Sequence, residues 1–293
     1  MSTKSIGPRE VVFADGERRP ALGLGTWRMG ESRARRALEV DALLLALDLG
    51  YRVLDTAEMY GDGGAEEVVG EAVSVALRDG LAREQLFVIS KVYPHNASMA
   101  GVVAACERSR QRLKLETIDL YLLHWRGGEP LAATIAGFAE LQRRGWIRRW
   151  GVSNFDVSDM QELFDLKGGN ACSANQVYYS LGTRNIEFDL LPWQREHDMP
   201  LIAYSPIDQG ALANRRASPV LREIAERRGA TPAQVALAAL LARPGVMAIP
   251  KAVRQPHLRE NWQAGTLALD AEDLAALDRE YPPPKRKMPL AMI

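Results

Sequence analysis

Short apolar runs alternate with longer segments of helical period along the whole chain. Eight runs rich in Val, Ile and Leu are predicted to be strands, at residues 22–25, 52–55, 86–91, 118–124, 150–153, 173–176, 200–204 and 246–250. Most of them are apolar on both faces. That pattern is typical of a parallel sheet covered by helices.

The segments between these runs are predicted to be amphipathic helices. In one of them, Val40, Leu43, Leu44 and Leu47 recur at i, i+3, i+4 and i+7, which places them on a single helix face. Thr231-Pro232 predicts the N-cap and first position of another helix. Glycines suited to a left-handed helix end follow four helical segments, at Gly50, Gly80, Gly145 and Gly229.

This repeat predicts the α/β fold class. A β-hairpin formed by residues 11–13 and 20–24 around an Asp15-Gly16 turn precedes about eight βα units. Eight units of this length match a (β/α)8 TIM barrel, which we expect to span residues 1–293 as one domain. A doubly wound open sheet competes with it, but Gly23-Leu24-Gly25 lacks the third glycine of the G-x-G-x-x-G turn.

Composition and charge narrow the classes of partner. The 293 residues carry 37 Lys+Arg and 37 Asp+Glu, and this zero net charge argues against a dedicated nucleic-acid binder. The longest apolar run, Val235 to Ala242, is too short to cross a bilayer, and the first residues lack an apolar secretory core. Cys106 and Cys172 suit a reducing compartment. We therefore expect a cytoplasmic protein and, with no heptad pattern, a monomer.

Polar and aromatic residues follow the predicted strands at intervals of 23 to 47 residues. The carboxyl ends of barrel strands surround one mouth, so we expect these side chains to converge there. They are Trp27, Asp55, Lys91, His124, Ser153, Asn154, Gln176, Tyr204 and Lys251.

Asp55, Tyr60, Lys91 and His124 can form an acid–base site that needs no metal. A lysine ammonium beside a tyrosine favours the phenolate and is expected to lower the tyrosine pKa from about 10. A carboxylate offsets the cost of burying the lysine, and a neutral histidine can hydrogen-bond a carbonyl oxygen. Singly, Asp55 could be a helix N-cap, Lys91 a solvated strand end and His124 a core histidine. Their order along the chain favours the catalytic interpretation.

Seven motifs in order resemble the aldo-keto reductase family. They are DTAEMYG (55–61), ISK (89–91), LLHW (122–125), GVSNF (151–155), NQVYY (175–179), AYSP (203–206) and AIPK (248–251). The segment DREYPPPK (278–285) is most similar to the bacterial branch of methylglyoxal reductases and general aldehyde reductases.

The resemblance implies an NADPH-dependent carbonyl reductase acting on small aldehydes, ketoaldehydes or ketones. Hydride would go to the carbonyl carbon and a proton from Tyr60 to the oxygen, with Lys91 and Asp55 tuning Tyr60 and His124 orienting the carbonyl. Ser153, Asn154 and Gln176 match positions that bind the nicotinamide amide, and Tyr204 matches the aromatic that stacks on its ring. The remaining cofactor positions are Trp27, Ser205, Lys251, Arg254, His257, Glu260 and Asn261.

The cofactor tail is where the sequence departs from the family pattern. The family often has a hydroxyl residue after the lysine and an arginine six positions after it, where this chain has Ala252 and His257. Lys251 and Arg254 could hold a 2′-phosphate, and use of NADH stays open.

Trp27, Tyr93 and Trp125 are predicted to line the substrate pocket, and Trp193 could join them or simply pack the barrel mouth. In the aldo-keto reductase family, long loops after the positions of Trp125 and Tyr281 make deep, selective pockets, so the resemblance implies that the short segments here leave an open mouth. Two other classes compete with a reductase. A non-catalytic, cofactor-binding regulatory subunit would bind the nucleotide without turnover. A phosphate-binding isomerase would need a Gly-rich loop late in the barrel, where IPKAV stands instead.

Overall fold

A ring of parallel strands forms the centre of the computed structural model, which describes residues 9–213 and 217–293. The strands in these ranges are β1 (Glu10–Val12), β2 (Arg18–Pro20), β3 (Leu24–Gly25), β4 (Val53–Asp55), β5 (Phe87–Val92), β6 (Ile118–Leu123), β7 (Ile147–Ser153), β8 (Asn175–Tyr178), β9 (Leu201–Tyr204) and β10 (Val246–Ala248). Strands β3 to β10 pair in chain order, each parallel to the next. Parallel bridges from Leu22 to Ala248 and from Gly25 to Lys251 close the ring. The predicted α/β barrel is confirmed.

Helices surround the ring of strands. They are α1 (Arg36–Leu49), α2 (Gly64–Arg78), α3 (Met99–Leu113), α4 (Leu131–Arg143), α5 (Val157–Asp165), α6 (Leu190–Glu196), α7 (Pro219–Arg227), α8 (Pro232–Leu241), α9 (Gln255–Ala264) and α10 (Ala271–Glu280). Helices α1 to α8 lie between successive strands, and α9 and α10 follow β10. Both α7 and α8 follow β9, which explains the 47-residue interval before Lys251. Across the described ranges, no helix has the length and apolar character needed to cross a membrane.

Local sequence signals set the helix ends as predicted. Gly50 ends α1 with φ 112°, and its N–H bonds the carbonyls of Ala46 and Leu47. Glycine suits this left-handed conformation because it has no Cβ to clash with the backbone. At α8, the Thr231 side chain accepts from the Gln234 N–H, and the Gln234 side chain accepts from the Thr231 N–H. This reciprocal cap fixes where α8 begins.

The hairpin forms, but its predicted second strand at 20–24 was wrong. The Phe13 N–H bonds the Glu17 carbonyl and the Gly16 N–H bonds the Phe13 carbonyl, so the chain reverses within five residues. The return strand β2 therefore begins at Arg18, and Leu24 belongs to the barrel. The other strand boundaries differ from the predicted runs by at most three residues: β7 begins at residue 147 instead of 150, β8 spans 175–178 instead of 173–176, and the remaining ends differ by one or two residues.

The hairpin covers the amino-terminal end of the barrel. The Phe13 ring lies 5.3 Å from the ring of Phe87, the first residue of β5. Arg149, near the start of β7, forms ion pairs with Asp15 and Glu17 of the hairpin turn. The carboxyl ends of the strands lie at the opposite end, where the polar residues predicted from sequence follow them.

Replacing Phe13 tests this arrangement. Phe13→Ala should lower the free energy of unfolding by about 3–5 kcal/mol, because it empties a buried aromatic site. Val12→Ala, at a side chain 44% exposed, is the matched control and should change it by less than about 0.5 kcal/mol. Urea unfolding of both variants measures the difference. Equal effects would show that the hairpin does not close the barrel.

Candidate active site

A cavity of about 1040 Å³ opens at the carboxyl ends of the barrel strands. Most of the predicted site residues line it, which confirms that the strand ends converge on one mouth. They are Trp27, Asp55, Tyr60, His124, Trp125, Ser153, Asn154, Gln176, Tyr204, Ser205, Lys251, His257, Glu260 and Asn261.

Lys91 lies beneath this cavity, fully buried. Its Nζ donates to Asp55 Oδ1 at 2.7 Å, to the Thr56 carbonyl at 2.8 Å and to the Tyr60 hydroxyl at 3.4 Å. The second oxygen of Asp55 accepts from Gln176 Nε2 at 2.7 Å. A charge without water needs partners of this kind, so the lysine and the carboxylate depend on each other.

Burial is the main influence on the pKa values of Asp55, Lys91 and Tyr60. It raises the pKa of Asp55, against the opposing charge and hydrogen bond of Lys91, and it lowers the pKa of Lys91, against the charge of Asp55. Desolvation raises the pKa of Tyr60 well above 10, and the Asp55 charge adds to that rise. The expected lowering of the Tyr60 pKa by Lys91 is therefore wrong for this structure. Tyr60 keeps its proton at neutral pH.

His124 faces Tyr60 as an uncharged ring. The two ring centres lie 5.7 Å apart in an edge-on arrangement. Burial lowers the pKa of His124 well below 6.5, and the charge of Lys91 contributes. His124 is therefore neutral at pH 7 and can hydrogen-bond a ligand oxygen without bringing a charge. The described residues hold no cluster of three or more His, Cys, Asp or Glu side chains suited to a metal ion.

The amide and hydroxyl side chains of the cavity wall form a connected network. Asn154 Nδ2 donates to the His124 carbonyl at 3.2 Å, and the Tyr204 hydroxyl donates to Asn154 Oδ1 at 2.9 Å. Ser153 Oγ donates to the Gln176 carbonyl at 2.8 Å. These bonds fix the side chains in place before any ligand arrives.

The side of the cavity formed by residues that follow β3 and β10, here called the cationic wall, carries positive charge. Lys251 pairs with Gly25 of β3 and lines the cavity together with Arg28 and His257. Desolvation lowers the pKa of Lys251, and the positive charge of Arg35 contributes to the same effect. No carboxylate in the described residues forms an ion pair with Arg28, whose guanidinium lies 4.5 Å over the Trp27 ring. Arg254, the N-cap of α9, is exposed and does not line the cavity.

Trp125 separates the cavity from a smaller groove. Tyr93 does not line the main cavity. It borders this groove of about 460 Å³, with its ring 5.7 Å from the Trp125 ring. Trp193 does not line the cavity: its ring centre lies 3.9 Å from that of His197 and 5.0 Å from that of Phe164 in α5, so it packs between helices α5 and α6.

The segment after Tyr281 contributes to the mouth, contrary to the expectation of an open rim. Asn185 Nδ2 donates to the Pro289 carbonyl at 2.8 Å and draws the segment back over the barrel. Met292 and Ile293 then line the cavity, as does Met59 beside Tyr60. Sequence reasoning missed these three side chains and Arg28. Only Arg28 carried a signal, as a cation directly after Trp27.

Residues 21–281 match the sequence model of the aldo/keto reductase family. The chain belongs to this family. It is 48% identical to methylglyoxal reductase YeaE of Escherichia coli (strain K12) over 285 residues, which cover 97% of this chain and 98% of that protein. Glyoxal reductase of Bacillus subtilis (strain 168) is 33% identical over 269 residues, covering 92% of this chain and 91% of that protein.

A solved member of the family shares the whole architecture. The crystal structure of an aldo-keto reductase from Klebsiella pneumoniae in complex with NADPH superposes with a TM-score of 0.92 at 46% sequence identity, covering 98% of this chain and all of that one. These likenesses confirm the aldo-keto reductase family and the methylglyoxal reductase branch predicted from the motifs.

The depressed pKa of His124 predicts a pH-dependent stability of this aldo-keto reductase. As the pH falls below about 6.5, His124 binds a proton in the unfolded chain but stays unprotonated in the folded chain, where its pKa is lower. The free energy of unfolding should therefore fall with the pH, by up to about 1.4 kcal/mol per pH unit from this residue. His124→Asn should show a correspondingly shallower loss in urea unfolding at a series of pH values. Parallel pH profiles for the two proteins would contradict the buried neutral histidine.

Proposed function

We propose that this chain reduces small aldehydes, ketoaldehydes and ketones to alcohols, with NADPH as the reductant. The observation that carries the proposal is the Tyr60 hydroxyl, which lies at the base of a large cavity within hydrogen-bond distance of Lys91, itself paired with Asp55. Family membership supports it, as do the methylglyoxal and glyoxal reductase relatives and the NADPH complex of the Klebsiella protein.

The cavity fits a phosphorylated dinucleotide. Arg28 and Lys251, for which the described residues show no ion pair, lie at one side of it, and fixed amide and hydroxyl groups lie near Tyr60. We assign Ser153, Asn154 and Gln176 to the nicotinamide amide and Tyr204 to the face of its ring. The other proposed cofactor contacts in the cavity are Trp27, Ser205, Arg28, Lys251 and His257 for the ribose and phosphates, and Glu260 and Asn261 for the adenine. Arg254, exposed outside the cavity lining, is proposed to reach the 2′-phosphate from the cavity edge.

Tyr60 is the proposed proton donor. NADPH, when bound, supplies the hydride that adds to the carbonyl carbon. The carbonyl oxygen then gains negative charge and takes the Tyr60 proton, which gives the alcohol and a phenolate. Lys91, 3.4 Å away, stabilises that phenolate, and Asp55 keeps Lys91 charged and oriented. Tyr60 recovers its proton from water. The raised pKa keeps the proton on Tyr60 until the carbonyl oxygen becomes basic enough to accept it.

His124, Trp27 and Trp125 are proposed to position the substrate. The neutral ring of His124 donates a hydrogen bond that holds the carbonyl oxygen beside the Tyr60 hydroxyl. Trp27 and Trp125 flank the carbonyl, with Tyr93 behind Trp125.

We further propose that residues 1–293 act as one barrel domain, as a monomer in the cytoplasm. Both cysteines are free and buried, which suits a reducing compartment.

Removing the Tyr60 hydroxyl tests the mechanism. Tyr60→Phe should lower kcat for methylglyoxal about 10²–10⁴-fold, the size of a general-acid contribution, while the Kd for NADPH stays unchanged. Tyr121→Phe is the control, because Tyr121 is fully buried and does not line the cavity. Absorbance of the reduced nicotinamide follows turnover. Full activity in Tyr60→Phe would refute the donor. NADPH binding by the wild type with no turnover of any aldehyde would favour the regulatory-subunit alternative.

The cationic wall predicts the cofactor preference. Lys251→Ala should weaken NADPH binding about tenfold or more and NADH binding little, since a 2′-phosphate gains most from a nearby cation. Arg28→Ala and Arg254→Ala, compared in the same fluorescence titrations, show which arginine replaces the one absent at His257. An unchanged NADPH-to-NADH ratio in Lys251→Ala would place the 2′-phosphate elsewhere.

A further inference from the structure

The segment after β9 forms one wall of the cavity in a strained conformation. Ser205, Pro206, Ile207, Gln209, Gly210 and Ala213 line the cavity. The backbone is left-handed at Ser205 (φ 48°), Asp208 (φ 49°) and Gln209 (φ 52°), none of which is glycine. L residues rarely adopt this conformation, so contacts from outside the segment must hold it.

Asp208 provides such a contact. It does not line the cavity, and its Oδ1 accepts hydrogen bonds from the Tyr178 hydroxyl at 2.8 Å, from the Ser180 hydroxyl and from the Thr183 hydroxyl at 3.4 Å. Its Oδ2 lies only 2.0 Å from where a Cβ on Gly182 would stand, so that position leaves no room for a side chain. Hydrogen bonds to a carboxylate are stronger than those between neutral groups. The Asp208 side chain therefore holds the segment 205–213 against residues 178–183.

Tyr178 connects Asp208 to Tyr204, the residue proposed to stack on the nicotinamide ring. Its ring stacks on Tyr204, with 5.6 Å between ring centres and 15° between planes. Tyr204 in turn bonds Asn154. A shift of Asp208 would therefore disturb both the wall formed by residues 205–213 and the ring stack.

We propose that Asp208, with the hydroxyls of Tyr178, Ser180 and Thr183, forms a latch that positions residues 205–213 against the bound cofactor and slows its release. Asp208 is a positioning residue that does not itself touch the cofactor. The proposal rests on the proposed use of NADPH. It gives a reason for a carboxylate within the segment that forms one wall of a site for an anionic cofactor, where charge alone is unfavourable.

The direction in which NADPH affinity changes when Asp208 is replaced distinguishes a latch from a purely electrostatic effect. Removing a negative charge beside the site should tighten NADPH binding if Asp208 acts only through its charge. If it acts as a latch, Asp208→Ala should raise the Kd for NADPH about tenfold or more, mostly through a faster dissociation rate, as expected for lost charge-assisted hydrogen bonds. Asp208→Asn keeps one oxygen acceptor and should fall between Asp208→Ala and the wild type.

Stopped-flow fluorescence with NADPH measures both rate constants. Asp165→Asn removes an exposed carboxylate from the end of α5 and is the control for surface charge. Tyr178→Phe deletes one donor but keeps the stacked ring. Combined with Asp208→Asn, it should cost less than the product of the two single effects, because both changes break the same contact.

The outcomes are distinct. Weaker NADPH binding in Asp208→Ala with faster dissociation, and an intermediate Asp208→Asn, would support the latch. Equal or tighter NADPH binding in Asp208→Ala would overturn it, and so would independent effects of the Tyr178 and Asp208 changes. Failure of the wild type to bind NADPH would refute the proposed function instead.

Discussion

The buried ion pair between Lys91 and Asp55 is the interaction on which the site depends. Neither charge could occupy its position alone, because the cost of desolvation would neutralise or expel it. Parallel pairing of β4 and β5 sets Asp55 opposite Ile89, so Lys91 follows two residues later on the same strand. The Nζ of Lys91 then reaches the carboxylate, the Thr56 carbonyl and the Tyr60 hydroxyl together. The barrel positions the pair, and the pair fixes the start of the loop that carries Tyr60.

Two electrostatic consequences follow from this burial. Tyr60 retains its proton at rest, since desolvation and Asp55 both disfavour the phenolate. His124 remains neutral, since desolvation and Lys91 disfavour the imidazolium. The two groups proposed to face the substrate carbonyl are therefore uncharged at neutral pH. In the proposed mechanism, the Lys91 ammonium stabilises the phenolate that forms only when a proton leaves Tyr60.

Sequence reasoning predicted the elements whose signal is local or periodic. Apolar runs located the eight barrel strands, and the polar residues after them converge because strand ends must meet in a barrel. Contacts between distant segments were not predictable in this way. The bond from Gln176 to Asp55 spans 121 positions, and Asn185 holds Pro289 across 104. The Tyr60 pKa was mispredicted because sequence shows which charges are neighbours but not how much water each side chain loses.

The most direct test of the account is a double-mutant cycle on the ion pair, with kcat/KM for aldehyde reduction as the measured quantity. Asp55→Asn, Lys91→Met and the double variant are compared with the wild type, and NADPH binding verifies that each protein is folded. If the pair acts as a unit, each single variant loses most of the activity and the double variant is no worse than the poorer single one. Effects that multiply, or near wild-type activity in Lys91→Met, would contradict it.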